Sequence, residues 1–514
     1  MLWLIAKKDF LLNLLSARFI TGFLLCLVII PFTIVVNVDN YLNQAQIYKI
    51  EKDKADKEYK EVRVWSRLRP AVVKEPEVLS IFSNGISGNL GNKSAIKIGE
   101  YPLFPSGHII TSDNPLLNAF FSIDFSKIIA IIISLIALVF SYDAITRERE
   151  DGTIKLAFTG NLSRITFLLG KITGLLITLL PILLFCYILA CLIVILNPGV
   201  AMSASDWGGV LLLFLTSIIY MLVFILIGML ISSLVARSST SIILSLLCWI
   251  WFLFLLPNIS IYLSQSIVKT PLDDNVQSAV GEFDKSFNKE SDEAEKRIMD
   301  EFNVEYFNCG SCGFYGDGSK EMIGITQETA LYQRGLSIWE SSALQSYADK
   351  KWAIQKNYMD ELIRQEKWQQ RIAWLSPSQI FGQTINALCR TDMQSFLKYM
   401  ENVRNYRETF IRYYTDKKLF ESFAYFAPES FETLPSQEEM KRTGQDPWDR
   451  LVKQGISYEK FPYLNTDDVP RFVPQPVTLA LVINGAMSRL TALLALMVAL
   501  LIATIATFMK YDIR

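Results

Sequence analysis

The feature that most constrains this chain is where it carries no charge. Phe19–Asn37, Ile172–Ser205, Trp207–Ala236, Ser238–Val268 and Leu490–Met509 contain no Asp, Glu, Lys or Arg. A helix crosses the hydrocarbon core of a bilayer in roughly 20 apolar residues, and a spanning helix satisfies its own backbone. Each of these stretches is long enough to cross. Charged residues make up 20% of the chain, below the roughly 25% usual in soluble domains. A secreted globular protein is excluded. The net charge of -1 also argues against a nucleic-acid partner, whose phosphates call for a basic surface.

These runs predict an all-α membrane protein with six transmembrane helices at about 18–37, 122–145, 165–197, 208–235, 239–262 and 477–509. The third exceeds one straight crossing, and Pro181 within it predicts a kink. If both termini are cytoplasmic, the short inner segments hold 11 cations, among them Lys7, Lys8, Arg18, Lys171 and Arg237, against 6 anions. Short basic loops belong on the cytoplasmic side. The long loops, 38–121 and 263–476, are then external, since long domains cross regardless of charge. The first apolar run has a basic front but no small-residue cleavage site, so it is read as a retained signal anchor.

Residues 1–17 set Leu2, Ile5, Leu12 and Leu15 among Lys7, Lys8, Asp9, Asn13 and Ser16, with Trp3 and Phe10 suited to a headgroup boundary. This predicts a helix on the cytoplasmic face that turns at Ser16–Arg18 into the first span. The first insertion opens with a charged helix over Glu51–Arg63, then loosens into turns or short strands at Ser83–Lys93. In the second, Gln327–Trp374 and Ser378–Phe420 read as two long helices joined at Ser376-Pro377. The proline-punctuated stretch Pro428–Pro476 reads as an irregular strip leading to the sixth span. Together the insertions predict a mainly helical external domain.

The most informative segment, residues 146–164, follows the second span: Ser141-Tyr142-Asp143-Ala144-Ile145-Thr146-Arg147-Glu148-Arg149-Glu150-Asp151-Gly152-Thr153-Ile154-Lys155-Leu156, then Asn161-Leu162-Ser163-Arg164 and Leu169-Gly170-Lys171. A densely charged helical turn is stopped at Gly152. Such an element is too small to fold as a domain, so it is either a docking knob or an ordinary charged hairpin. Glu148 and Asp151 would share one face at i, i+3.

This run closely resembles the signature loop of permease subunits of type 2 class ABC exporters, especially those serving multi-copper enzyme maturation and their longer relatives. Trp374–Phe381 (WLSPSQIF) with Arg390-Thr391-Asp392 is similar to the insertion in those relatives. The resemblance covers the whole layout. It implies that Arg147, Glu148, Arg149, Glu150, Asp151, Gly152 and Thr153 form a coupling element that inserts into a partner ABC ATPase. It also implies a second permease copy or sister permease and a bacterial inner-membrane location in contact with lipid. The chain has no G-x-x-x-x-G-K-[ST] motif. ATP and Mg would therefore be bound by the partner, and neither catalysis nor a cofactor is expected here.

Cys26, Cys186, Cys191 and Cys248 fall in spans and read as small hydrophobes; Cys389 reads as a lone cysteine in a helix. Cys309-Gly310-Ser311-Cys312 is the candidate disulfide. The surrounding Asn308, Gly313, Gly316 and Gly318 predict a loop rather than the helix start of a redox pair, and a metal role is disfavoured because the single histidine, His108, lies in the other insertion. Asp124, Lys127 and Arg489 read as interfacial anchors, which argues against an ion-driven transporter. Two rival readings remain: a membrane-anchored external thiol-disulfide protein, and a receptor or mechanical transmitter through which nothing crosses.

Overall fold

The computed structural model describes residues 1–86, 91–103, 124–154, 158, 162–270, 273–304, 307, 309–315, 319–475 and 478–510. Lys155, Leu156, Asn161, His108, Asn308, Gly316, Gly318, Pro476 and the expected span starts at 122 and 477 lie outside them. Among the described residues, six helices are long and apolar enough to cross a membrane.

Helix α1 (Leu2–Leu14) precedes the first span, and Ser16 caps the next helix by accepting from Phe19 N at 3.3 Å. That helix, α2, runs from Ala17 to Lys60. Its 44 residues reach roughly 66 Å, about twice the thickness of a hydrocarbon core. The charged helix expected over Glu51–Arg63 is therefore not a separate element. Residues 38–60 contain neither Gly nor Pro to stop the turn.

The second span, α3 (Phe125–Ser141), starts at Asp124, which caps it through Lys127 N, and is followed by the short helix α4 (Thr146–Glu150). The third, α5 (Arg164–Ile195), keeps Pro181 inside one continuous helix. The fourth, α6 (Ala204–Leu234), opens with a capping box between Ser203 and Asp206. The fifth is α7 (Ser238–Ile250), a π-helical turn at Trp251–Leu255, and α8 (Leu256–Ile267) with Pro257 near its start.

The second insertion begins with α9 (Asp273–Glu301) and a hairpin of β3 (Cys309–Phe314) and β4 (Lys320–Ile325). It continues through α10 (Gln327–Ala373), α11 (Pro377–Leu388) and α12 (Met393–Asp416), then α13 (Gln437–Thr443) and α14 (Pro447–Gln454) in the proline-rich strip. The last span is α15 (Leu479–Met509).

Two corrections concern this insertion. The single helix expected over Ser378–Phe420 is broken into α11 and α12, because Arg390 adopts a left-handed φ of 61° and Asp392 starts a new helix by accepting from Ser395 N at 3.2 Å. Cys309 and Cys312 lie on β3 rather than in a loop, joined by a disulfide, with Cys312 opposite Met322 of β4. Cys389 is fully buried just past the end of α11.

The two insertions build one domain with one core. Tyr59, Leu68, Val72 and Ile96 from the first meet Met322, Phe410, Tyr414 and Phe426 from the second. Here β1 (Ala71–Val73) pairs antiparallel with β2 (Lys93–Ala95). Buried Arg407 of α12 donates from Nε to Lys97 O at 3.0 Å and from Nη2 to Ile98 O, with its guanidinium 4.0 Å from the Tyr101 ring centre. A buried guanidinium satisfied by carbonyls fixes one insertion on the other.

The membrane bundle is centred on α6, which packs against α3, α11 and α15. Helix α11 belongs to an insertion by sequence, yet Ile380, Phe381, Ile385 and Leu388 are buried in the bundle core. Its hydroxyls explain the fit. Ser376 and Ser378 donate to Phe252 O at 2.5 and 2.9 Å. In the π-helical register that carbonyl would look to residue 257, a proline with no N–H to give.

Candidate functional site

The loop between α3 and α5 is held from several sides. Ser232 of α6 accepts from the backbone N–H of both Ile145 and Thr146 at 3.1 Å. Glu150 accepts from Ser238 N at 2.9 Å and Ser238 Oγ at 2.6 Å, which satisfies the exposed start of α7. Arg149 reaches Val235 O at 3.4 Å. Ser241 of α7 donates to Tyr142 O at 2.6 Å, and Arg18 of α2 pairs with Asp143 at 3.0 Å.

Glu148 turns inward. It accepts from Lys171 Nζ of α5 at 2.8 Å and from Thr153 Oγ1 at 2.5 Å, and Lys8 lies 3.6 Å away. Lys171 also donates to Asp9 of α1 at 3.2 Å, and this ion pair is almost wholly buried. Burial pushes the Asp9 carboxyl upward, and the Lys171 ammonium pulls it back.

Helix α1 sits against α5 because α5 has no side chain where they meet. A Cβ on Gly170 would lie 2.9 Å from Ile5 Cβ, and one on Gly174 would lie 3.0 Å from Asp9 Cβ. Glycines one turn apart flank Lys171 and let the backbones approach closely. One buried lysine thus joins the loop, α1 and α5.

The other face of the loop is free of such ties. Arg147 and Asp151 are 71% and 60% exposed and make only a loose i, i+4 pair at 3.9 Å. Gly152, at φ +70°, ends the turn, and a Cβ there would touch nothing within 4 Å. The face expected to carry Glu148 and Asp151 together is therefore split: Asp151 points out with Arg147, and Glu148 is buried on the bundle side.

A second charged cluster lies at the opposite end of the spans. Arg489 of α15 is buried and pairs with Asp392 at the start of α12 at 3.1 Å. Arg390 pairs with Glu77 of the first insertion at 2.7 Å and lies 3.8 Å from Asp206 of α6. Beside it, buried Ser83 donates to Asn386 at 2.7 Å and meets Asp124 and Ser126. Asp124 and Arg489 are not interfacial anchors in contact with lipid and water. They are buried groups that clasp the insertion domain to the bundle.

Sequence reasoning missed Lys171 as the hub, although its setting Gly170-Lys171-Ile172-Thr173-Gly174 was a signal: a cation in an apolar span flanked by small residues. Asp9, Ser232 and Ser238 carried no comparable mark. Among the described residues no cluster of three His, Cys, Asp or Glu side chains could hold a metal ion.

Such a chain is a multi-pass α-helical membrane protein, with a tethered charged loop at one end and a clasped helical domain at the other. It belongs to the ABC-2 family transporter proteins, whose family profile matches residues 3–513, and so is the membrane permease of an ABC transporter rather than a catalytic subunit. Partnership with an ABC ATPase goes with the family in general. A search of curated proteins returns no match to the chain.

Proposed function

We propose that this permease serves an ATP-driven exporter, with a separate ABC ATPase docking on the loop at Arg147, Asp151 and Gly152, while Glu150 fastens the loop to α7. The observation that carries this reading is the two-sided loop. Its outer face is exposed, while its inner face is bonded to α2, α5, α6, α7 and, through Lys171, to α1. An element held this way transmits a push as a rigid body instead of absorbing it. In this reading Arg149, Glu148 and Thr153 act from the inner face, as positioning residues and not as contacts. ATP and Mg belong to the ATPase, both termini are cytoplasmic in a bacterial inner membrane, and the insertion domain is external.

A second permease copy or sister permease completes the assembly. Only 11% of the fifth span and 17% of the sixth are buried within this chain, against 61% of the second and fourth. Those apolar faces call for a second permease or lipid. The clasp supports a second reading, in which the motion levers the insertion domain and no molecule crosses. Arg390, Asp392 and Arg489 join that domain rigidly to α6 and α15.

The test is a charge exchange, Arg147→Asp with Asp151→Arg. It keeps the pair within the loop but reverses the docking face. ATPase co-purification should drop at least about tenfold, as expected for like charges brought together at an interface, while the yield of folded permease holds. Unchanged co-purification would reject the docking face. Export from reconstituted vesicles, measured with both subunits present, separates the exporter from the transmitter.

A further inference from the structure

Where the insertion domain meets the bundle there is a cavity of about 600 Å³. Its carboxylates are largely engaged. Glu77 holds Arg390, Asp392 holds Arg489, and Asp206 accepts from Ser203 N and Oγ while facing Arg390; Glu75 is exposed. Its amines are not. Lys74, half-buried, and Lys398, exposed, line the cavity, and no carboxylate among the described residues lies within ion-pair distance of either ammonium.

Lys74 Nζ sits 5.4 Å from the ring centre of Tyr399, a weak cation–π partner. Burial draws the Lys74 ammonium downward from its ordinary range. Glu77, already held by Arg390, draws it only partly back, and the Arg390 cation opposes it; a half-buried cation so weakly compensated is costly, and an arriving anion would relieve that cost.

Part of the lining is apolar. Leu481, Val482 and Gly485 belong to the first two turns of the sixth span, and Ala387 ends α11. Beside Gly485 a Cβ would meet nothing within 4 Å. The cavity therefore brings together a half-buried ammonium, an exposed one and apolar residues from the start of a membrane-spanning helix.

We propose that this cavity binds an acidic amphiphile, its phosphate or carboxylate headgroup on Lys74 and Lys398 and its hydrocarbon part along Leu481, Val482 and Gly485. Lysine serves such a headgroup as a point charge. The site depends neither on the direction of transport nor on the ATPase.

The experiment uses the full chain purified in a neutral maltoside detergent, with binding of phosphatidylglycerol, diacylglycerol and inorganic phosphate measured by native mass spectrometry. Wild-type protein should retain phosphatidylglycerol over diacylglycerol. Lys74→Gln with Lys398→Gln should weaken that binding about tenfold, the scale of a lost charge-assisted contact. Gly485→Leu, which leaves both amines in place, should weaken it as well by crowding the apolar end.

Equal retention of phosphatidylglycerol by wild type and the double lysine variant overturns the proposal, as does equal retention of diacylglycerol. Inorganic phosphate that binds wild type and Gly485→Leu alike, while phosphatidylglycerol does not bind, shows a simple anion site and also overturns it. Thermal unfolding of each variant, matched to wild type, confirms that the loss is not one of folding.

Discussion

The two ends of the bundle use the same device in opposite ways. At the loop end, one buried lysine serves two acids: Lys171 meets Glu148 at 2.8 Å and Asp9 at 3.2 Å, with Lys8 assisting from the rim. At the insertion end the partners are matched one to one, Arg489 with Asp392 and Arg390 with Glu77, with Asp206 beside the second pair. Within that network two buried acids share Lys171, so the hold on α1 hangs on that residue. The insertion end spreads the same work over two arginines. One end is a hinge pin and the other a clasp.

The largest effect should come from the pin. Lys171→Met leaves Glu148 and Asp9 as neighbouring buried acids without their shared partner, and breaking a buried pair costs about 3–5 kcal/mol. The variant should unfold at much lower temperature, and α1 should become sensitive to protease near Lys7 and Lys8. If its melting temperature matches that of wild type, the network does not hold the loop end together.

Next in size is the clasp. Arg489→Met alone strands Asp392 and should cost a similar but smaller amount, since Asp392 keeps its bonds from Ser395 N and Oγ at 3.2 and 2.6 Å. Adding Asp392→Asn should recover part of the loss, because a buried pair replaced as a pair is often nearly neutral. A double variant as unstable as the sum of its parts would mean that the two residues act independently.

A smaller effect is expected where α11 enters the bundle. Ser376→Ala with Ser378→Ala leaves the Phe252 carbonyl without either hydroxyl, a loss of about 1–3 kcal/mol for one stranded buried acceptor. Ser378→Ala alone should cost well below that, since Ser376 still reaches Phe252 O, while Ser376→Ala also loses the α11 cap that accepts from Gln379 N, about 0.5–2 kcal/mol. Thermal unfolding of the three variants checks the order, and equal loss in both single variants and the double would contradict shared duty.

The spans were legible because lipid demands long runs without charge, and nothing else in the chain imitates such runs. The break between α11 and α12 was not. Cys389-Arg390-Thr391-Asp392 contains no Gly or Pro, and the turn rests on Arg390 in a left-handed conformation held by partners on Glu77 and Asp206. Nor was the placement of α11, whose 12 residues are too short to cross a membrane and read as part of a soluble helix. The charged loop was found by its pattern, but which face points outward was decided by Lys171, 23 residues further along. Asp124, Arg489 and Lys171 look alike in sequence, as charges at span ends. Only their distant partners distinguish a clasp or a pin from an anchor.

The smallest expected effect tests the pin through Asp9, the second acid on Lys171. Asp9 is faced by Lys171 and Lys8 as cations and by Glu148 as a like charge. Burial raises its carboxyl above the ordinary 3.8, with Lys171 offsetting part of the rise. A carboxyl raised on folding takes up a proton as the chain folds, so stability falls as pH climbs from 3.8 through the folded value and stays reduced above it. Asp9→Asn removes that penalty and also the Asp9–Lys171 attraction, so the net change at neutral pH should stay within about 1 kcal/mol, since Lys171 keeps Glu148. The difference in melting temperature between variant and wild type should nevertheless shift with pH, moving in favour of the variant as pH climbs above 3.8. Parallel pH profiles for wild type and Asp9→Asn would show that the second acid at the pin carries no burial penalty, and the two ends would then differ only in geometry.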